Sequence, residues 1–469
     1  MTASTRVFSF FRLLKQALRG DQQDYTAIST DRAIFLLAIP MILEMGMESV
    51  FAIVDVYWVG RLNDNDATAT IGLTESMLTL VYSVAMGLSM GATSLVARRV
   101  GEKNIRGAEI AGAQAIYIGL AFSVIIMVAG LLFSEDLLRL MGGSEGLIRE
   151  NSGYTKWMLG GNVTIMMLFL INAIFRGAGD ASLAMRTLIL ANVLNIILDP
   201  VFIFGIGDVI PAYGVEGAAI ATTIGRGTGV LYQVYHLVFG NGLIKLHRKN
   251  MSLRWDLVGT ILRIGAEGTS QFLIASASWI FLVRIIQTFG STAMAGYTYA
   301  IRIIIFAILP AWGMANAAAT LVGQNLGAGF PDRAERSAWR AAFLNMMFLA
   351  IVTIVFLVFA EPLLMFFTTD PEVLHHAIYC LQIISLGYVF YAYGMVISQS
   401  FNGAGDTRTP MIINIFGFWI FQIPLAYGLA YTAGWGTSGV YAAISIAESA
   451  MAVAGILIFR KGRWKTVKV

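Results

Sequence analysis

The chain has 469 residues, 57% of them hydrophobic and 13% charged, with a mean hydropathy of +0.72. A soluble domain carries about twice that charged fraction, so a soluble enzyme or nucleic-acid-binding module is excluded and the net charge of +4 needs another explanation. Cys380 is the only cysteine, which excludes an intrachain disulfide or cysteine metal site, and the histidines His236, His247, His375 and His376 form no zinc-protease motif and have no acid five residues on.

Residues 1–32 read as a basic amphipathic leader. The stretch Val7 to Arg19, with Arg12 and Lys15, is too short and too charged to span a bilayer and is expected at the cytoplasmic headgroups. Twelve apolar runs follow, each long enough for a transmembrane helix: about 33–60, 68–97, 108–133, 153–176, 184–206, 214–240, 257–288, 293–325, 335–360, 375–402, 409–432 and 436–459. No ten-residue alternation of a β-barrel is present. The expected fold class is therefore an all-α integral membrane protein with twelve transmembrane helices.

The first run holds Glu44, Glu48 and Asp55, which at about 100° per residue share one helix face. The fifth holds Asn192, Asn195 and Asp199, again on one face, followed by Pro200, which removes a helix hydrogen bond and favours a kink. Carboxylates in hydrocarbon are expensive and normally face a bundle interior or a water path, where they carry function. If Asp55 approaches Asp199, one shared proton relieves both desolvation and like-charge repulsion. Polar glue between helices is the structural alternative, although Ser, Thr or Asn would do that at lower cost. Glu44 and Glu48 can attract a cationic cargo, relay protons or simply line a solvated vestibule. Met41, Met45 and Met47 beside them supply the soft side chains that suit varied apolar cations. Glu75, Glu267 and Glu448 are further acids near or within runs, with Arg284 and Arg302 as expected ion-pair partners.

The chain is written twice. Leu37-Ala38-Ile39-Pro40 answers Leu262-Arg263-Ile264-Gly265, Ser94-Leu95-Val96 answers Thr320-Leu321-Val322, Phe175-Arg176-Gly177-Ala178-Gly179-Asp180 answers Phe401-Asn402-Gly403-Ala404-Gly405-Asp406, and Gly214-x-x-Gly217 answers Gly436-x-x-Gly439. The offsets stay between 222 and 226. Six runs per copy is an even number, so both copies enter from one side as a parallel repeat. The expected division is a leader at 1–32, a six-helix lobe at 33–240, a cytoplasmic linker at 241–256, a second lobe at 257–460 and a tail at 461–469. The Gly-Ala-Gly-Asp loops read as helix stops and caps rather than phosphate cradles.

Charge placement follows the same frame. With the N-terminus inside, 25 of the 32 Lys and Arg fall on cytoplasmic segments and 4 outside, leaving Arg226, Arg284 and Arg302 within runs. That bias supports both termini in the cytoplasm, and it accounts for the net positive charge without nucleic acid.

The pattern Pro40…Asp55-x-x-Trp58-Val59-Gly60, the paired Gly-Ala-Gly-Asp loops, Asn195-x-x-x-Asp199-Pro200 and Gly217-Ala218-Ala219-x-Ala221-Thr222 resemble the multidrug and toxic compound extrusion (MATE) family, from residue 30 to 460. They are closer to its DinF-like and archaeal branch than to its NorM branch. The resemblance implies two six-helix lobes forming a V-shaped cavity. It also implies a monomeric, multi-pass inner-membrane antiporter exporting cationic amphipathic compounds against protons or Na⁺, with no cofactor, no enzymatic activity and no nucleic-acid partner. Carried over, the coupling residues are Asp55, Asn195 and Asp199, with Tyr154 and Asn172 from the fourth helix. Glu44, Glu48, Met41, Met45 and Thr222 would line the cargo cavity. The positions of the NorM-branch acids fall near Leu273 and Tyr391 here, so coupling is expected in the first lobe. A Na⁺-coupled exporter and a flippase for lipid-linked precursors are the alternatives, the latter requiring a cavity lined by Arg and Lys.

Overall fold

The structure is a computed structural model that describes residues 3–20, 22–62 and 64–469. The first half contains α1 (Ala3–Arg19), α2 (Thr30–Gly60), α3 (Asn65–Gly101), α4 (Ile105–Leu140), α5 (Glu145–Gly160), α6 (Asn162–Ala178), α7 (Ala181–Phe204) and α8 (Val215–Phe239). The second contains α9 (Trp255–Gln287), α10 (Ser291–Gly327), α11 (Pro331–Leu364), α12 (Pro371–Leu386), α13 (Tyr388–Ala404), α14 (Arg408–Asn414), α15 (Ile423–Tyr427) and α16 (Thr437–Arg460). The π-helical stretch Ile415–Gln422 joins α14 to α15, and a second, Gly428–Thr432, follows α15, so the four run on continuously from Arg408 to Thr432. Among the described residues the only β pairing is the bridge Ile206–Ile210.

Ten helical stretches among the described residues are long and apolar enough to cross a membrane, and the bent pair α12–α13 makes an eleventh. The twelfth is α8, 25 residues long, whose glycines, threonines, Arg226 and Gln233 lower its hydropathy. The protein is therefore an all-α, multi-pass membrane protein. Large apolar side chains such as Ile125, Leu132, Leu231, Ile351 and Val358 are exposed on its helices, as hydrocarbon-facing groups must be. Helix starts are set by short polar caps: Asp64, Asn104, Ser144, Asp180 and Asp370 each accept from first-turn backbone N–H groups.

The repeat is visible in backbone irregularities. The fourth crossing breaks at Gly161 and its partner at Gly387, where α12 and α13 meet at 56°. A Cβ on Gly161 would lie 2.9 Å from Thr223, and one on Gly387 would lie 3.2 Å from Ser445. These are the same two positions in each copy. Non-helical turns fall at Phe133 in α4 and Phe359 in α11. Gly179 and Gly405 end α6 and α13 at φ 91° and 86°, a left-handed conformation that glycine adopts without strain. Asp180 and Asp406 then accept from the N–H of Leu183 and Thr409. The Gly-Ala-Gly-Asp loops are turns and caps, as the spacing predicts.

The contacts divide the chain into two compact units. One comprises Met1–Gln23 with Leu43–Thr269, the other Asp24–Ile42 with Ser270–Val469. Thus α2 changes unit after Ile42 and α9 after Thr269. In the first unit the end of α1 is held by Arg186, which donates to the carbonyls of Leu18 and Arg19. The basic linker is fastened to α4: Glu109 accepts from Lys245 N–H and Asn250, Gln114 bonds Ser252 and Arg254, and Tyr117 donates to the Met251 carbonyl at 2.8 Å. In the second unit Arg333 donates to the Tyr25 and Ile28 carbonyls, and Arg340 pairs with Asp31 at 2.7 Å. The tail is anchored by Trp464, buried and stacked on Phe459, and by Lys465, 2.6 Å from Glu335. That hydrogen bond to Glu335 holds the Lys465 ammonium above its usual range.

Candidate functional site

The acids of α2 sort into tiers within the first unit. Along eleven residues from Glu44 to Asp55 the helix rises about 16 Å, half the thickness of a hydrocarbon core, and each tier meets different partners.

Glu44, 1% exposed, is the deepest in packing. Its Oε1 accepts from Arg176 at 2.7 Å and from Asn172 at 3.2 Å. Gln233 on α8 steadies this group, donating to Asn172 Oδ1 at 2.7 Å and to the Leu168 carbonyl at 3.1 Å. Asn172 and Arg176 are four apart on α6, so one helix face supplies both donors. A buried carboxylate is tolerable here because a guanidinium neutralises it.

Half-buried Glu48 is one turn further along. Arg226 of α8 is a countercharge within its electrostatic reach. That guanidinium donates to the Tyr82 hydroxyl at 2.8 Å and lies 5.3 Å from the Phe51 ring centre, the arrangement of a cation over an aromatic face. Asn192 on α7 donates to the Met47 carbonyl at 3.1 Å and so ties α7 to α2.

The third tier joins Asp55 to α7 and α8. Asp199 is fully buried, and its Oδ1 accepts from Asn195 at 3.1 Å. Asn195 also donates to Thr222 Oγ1 at 3.0 Å. Glycine makes that contact possible: a Cβ on Gly225 would sit 2.7 Å from the Ala191 carbonyl, so α8 lies directly on α7. Asp55 is within electrostatic reach of Asp199, Glu75 and Tyr154. Asp199 Oδ2 and Asn195 Oδ1 are buried with no hydrogen-bond partner among the described residues. The donor set is all oxygen, suited to a proton or a hard monovalent cation rather than a transition metal. Among the described residues no group of three or more His, Cys, Asp or Glu could hold a metal ion.

Several expectations are corrected. Asn172 does not join Asp55 and Asp199; it belongs to the Glu44 tier. Glu44 is not a free cavity wall, because Arg176 cancels its charge. Met41 is fully buried in the second unit, where a Cβ on Gly313 would lie 2.6 Å from its carbonyl, so it is packed against α10. Thr222 belongs to the Asp199 group through Asn195. Met45 is half-buried on α2. Arg284 and Arg302 are exposed, and among the described residues neither forms an ion pair with Glu75, Glu267 or Glu448. Two arginines that were not singled out reach the acids of α2 instead: Arg176 pairs with Glu44, and Arg226 lies within electrostatic reach of Glu48. Both had a signal, since Arg176 falls four residues after Asn172 and Arg226 four after Thr222 on helical faces. Gln233, seven beyond Arg226 on that face, had the same one.

A profile of the MatE family matches residues 40–201 and again 269–428, two successive copies covering most of the chain. The chain is similar to the probable multidrug resistance protein NorM of Thermotoga maritima, 27% identical over 437 residues, covering 92% of this chain and 93% of that one. It is similar also to the probable multidrug resistance protein YoeA of Bacillus subtilis, 27% identical over 431 residues, covering 91% and 92%. Among solved structures, MATE in the straight conformation superposes with TM-score 0.88 at 28% identity, covering 96% of this chain and 99% of that one. A MOP superfamily transporter from Pyrococcus furiosus, described as having a binding pocket of reverse polarity, gives 0.86 at 28%, covering 96% and 98%. Twelve helices written as two six-helix copies, with the family profile found once in each, make this chain a multi-pass membrane protein of the MatE family.

Proposed function

We propose that the chain is a secondary active antiporter that exports cationic, amphipathic compounds in exchange for protons, coupled in its first unit. The export of drugs comes from the relatives, whose names describe multidrug resistance and multidrug export. The coupling comes from one observation: Asp199, 0% exposed, has one oxygen held by Asn195 and the other without a hydrogen-bond partner among the described residues, with Asp55 within electrostatic reach. Two carboxylates in a low-dielectric pocket repel each other and lose hydration. A proton on one relieves both costs without disturbing the Asn195 contact. The proton and a cationic drug then compete for the same negative charge, which is the elementary requirement for exchange. Tyr154 stands beside this pair, and Thr222 keeps the Asn195 amide aimed at Asp199. Pro200 leaves the Ile196 carbonyl without its helical donor, so a change at Asp199 acts where α7 is weakest.

This reading places both termini in the cytoplasm and the protein in the plasma membrane as a monomer, without a cofactor. The all-oxygen set equally favours Na⁺ as the coupling ion, and the test separates the two. A lipid-precursor flippase fits less well, because Arg176 and Arg226 are engaged with Glu44 and with Tyr82 and Phe51. In everted vesicles, a fluorescent cationic dye is expected to accumulate under a proton gradient. Asp199→Asn and Asp55→Asn should each lower the gradient-driven rate by at least about tenfold, the loss of an interaction worth about 1.4 kcal/mol or more. Full proton-driven uptake by Asp199→Asn would sink the proposal, and uptake driven by Na⁺ alone would replace the proton.

A further inference from the structure

Within the first unit, positive charge gathers where the linker folds back on the start of α4. Arg106, His247, Lys249 and Asn250 line an open cavity there of about 530 Å³, inside the roughly 300–1,000 Å³ of small-molecule sites. Its lining brings two fixed positive charges and no acid. Among the described residues neither Arg106 nor Lys249 forms an ion pair.

The cavity is held in shape by α4. Glu109, one turn beyond Arg106 and buried, accepts from Lys245 N–H at 3.2 Å and from Asn250 Nδ2, and its Oε1 lies 3.3 Å from His247 Nδ1. Its charge is spent on fastening the linker. Asn250 completes the frame, because its Oδ1 accepts from Arg106 Nε at 3.2 Å. That bond orients the guanidinium and leaves both terminal nitrogens without a hydrogen-bond partner among the described residues, the fork that grips a phosphate with two parallel bonds.

The second copy resolves the same register differently. By the offset of Gly101 to Gly327, Arg106 answers Asp332 and Glu109 answers Glu335. Those two acids neutralise the tail, with Lys465 3.2 Å from Asp332 and 2.6 Å from Glu335. In the first copy the acid is replaced by an arginine, so Arg106 and Lys249 share a cavity as like charges. An anion between them turns that repulsion into attraction.

The surroundings select what carries the anion. The apolar run of α4 begins at about residue 108, which sets Arg106 at headgroup height. At about 100° per residue Arg106, Tyr117, Leu120 and Val124 fall on one face of α4, and Leu120 and Val124 are exposed apolar side chains. Tyr117 holds the Met251 carbonyl at 2.8 Å. Met251, Leu253 and Trp255 follow the cavity directly in the chain and are exposed, Trp255 to 75%, as an aromatic anchor at an interface is. A free phosphate gains nothing from this apolar flank. A phospholipid gains from both parts, its phosphate at Arg106 and Lys249 and its acyl chains along the exposed side chains.

We propose that this cavity binds the phosphate of an anionic phospholipid, of the phosphatidylglycerol kind, from the leaflet on the linker's side. The site is independent of the exchange reading and is tested without gradient or drug. Full-length protein in phosphatidylcholine nanodiscs receives a small fraction of phosphatidylglycerol bearing a photoactivatable diazirine on its headgroup. Adducts are located by peptide mass spectrometry. They are expected on the start of α4 and on residues 245–255, and unlabelled phosphatidylglycerol should suppress them. Arg106→Gln and Lys249→Gln should each lower this labelling about fivefold, the effect of one basic residue at an anionic surface. Arg106→Lys should keep most of it, and Arg149→Gln, at the other end of the crossings, should leave it unchanged. A phosphatidylcholine probe that labels these peptides equally well would overturn the proposal. So would suppression by inorganic phosphate as strong as that by phosphatidylglycerol, since the occupant would then be a soluble anion, or labelling that is indifferent to both glutamine variants.

Discussion

Arg176 decides whether α2 can keep Glu44 in the apolar interior. Removing it leaves a buried carboxylate uncompensated, a loss of about 3–5 kcal/mol. Arg176→Met is therefore expected to lower the thermal midpoint of the detergent-purified protein sharply. Glu44→Gln with Arg176→Met should recover most of that loss, because the double variant buries no charge. If the double variant is as unstable as the single one, the pair is not what holds α6 to α2. Asp180 gives a pH signature outside the membrane. Burial, outweighing its hydrogen bonds to Leu183 and Ser182, pushes its carboxyl above the usual range. The folded chain then holds this proton to higher pH than the unfolded chain. Asp180 thus contributes stability at acid pH that is lost as pH rises from about 3.9 through the raised folded value. Asp180→Asn keeps the cap and removes the titration, so the midpoint should fall less between mildly acidic and neutral pH than in wild type. An unchanged pH profile would remove Asp180 from the account.

At the scale of helices, the close contacts are made by absent side chains. A Cβ on Gly177 would lie 2.9 Å from the Thr93 carbonyl, and one on Gly403 would lie 2.6 Å from Ala319 Cα. These are equivalent positions in the two copies, where backbone packs on backbone as small residues permit in membranes. Gly403→Ala must push α13 off α10 and is expected to cost about 1–3 kcal/mol of stability by overpacking. A thermal-shift measurement against Gly146→Ala, where nothing lies within 4 Å, checks this. Equal midpoints for the two variants would contradict the packing argument. The breaks at Gly161 and Gly387 belong to the same scale, for they turn the fourth crossing of each copy where α8 and α16 need room.

At the scale of the whole chain, the even number of crossings and the basic loops make a topology claim. Because Cys380 is the sole cysteine and is buried, Cys380→Ala gives a clean background for single-cysteine labelling. Gly146→Cys and Thr369→Cys should react with an impermeant maleimide in intact cells, and Lys249→Cys only after the membrane is opened. Lys249→Cys labelling from outside would invert the orientation and, with it, the direction of the proposed exchange.

Much of this was legible in the residues alone. Apolar run length determined the helices, because hydrocarbon thickness leaves little choice. The recurring offset determined the doubling, and Asp55, Asn195 and Asp199 stood out because charge in hydrocarbon is costly wherever the chain takes it. Partner choice was not legible. Whether Asn172 serves Asp199 or Glu44, whether Met41 lines a cavity or a packing seam, and which arginine neutralises which acid depend on how α2, α6, α7 and α8 rotate against each other. Periodicity gives the face of one helix but not the face opposite it. That was decided by glycine contacts such as Gly225 on Ala191 and Gly313 on Met41, which set inter-helix distance and register only once the chain has folded.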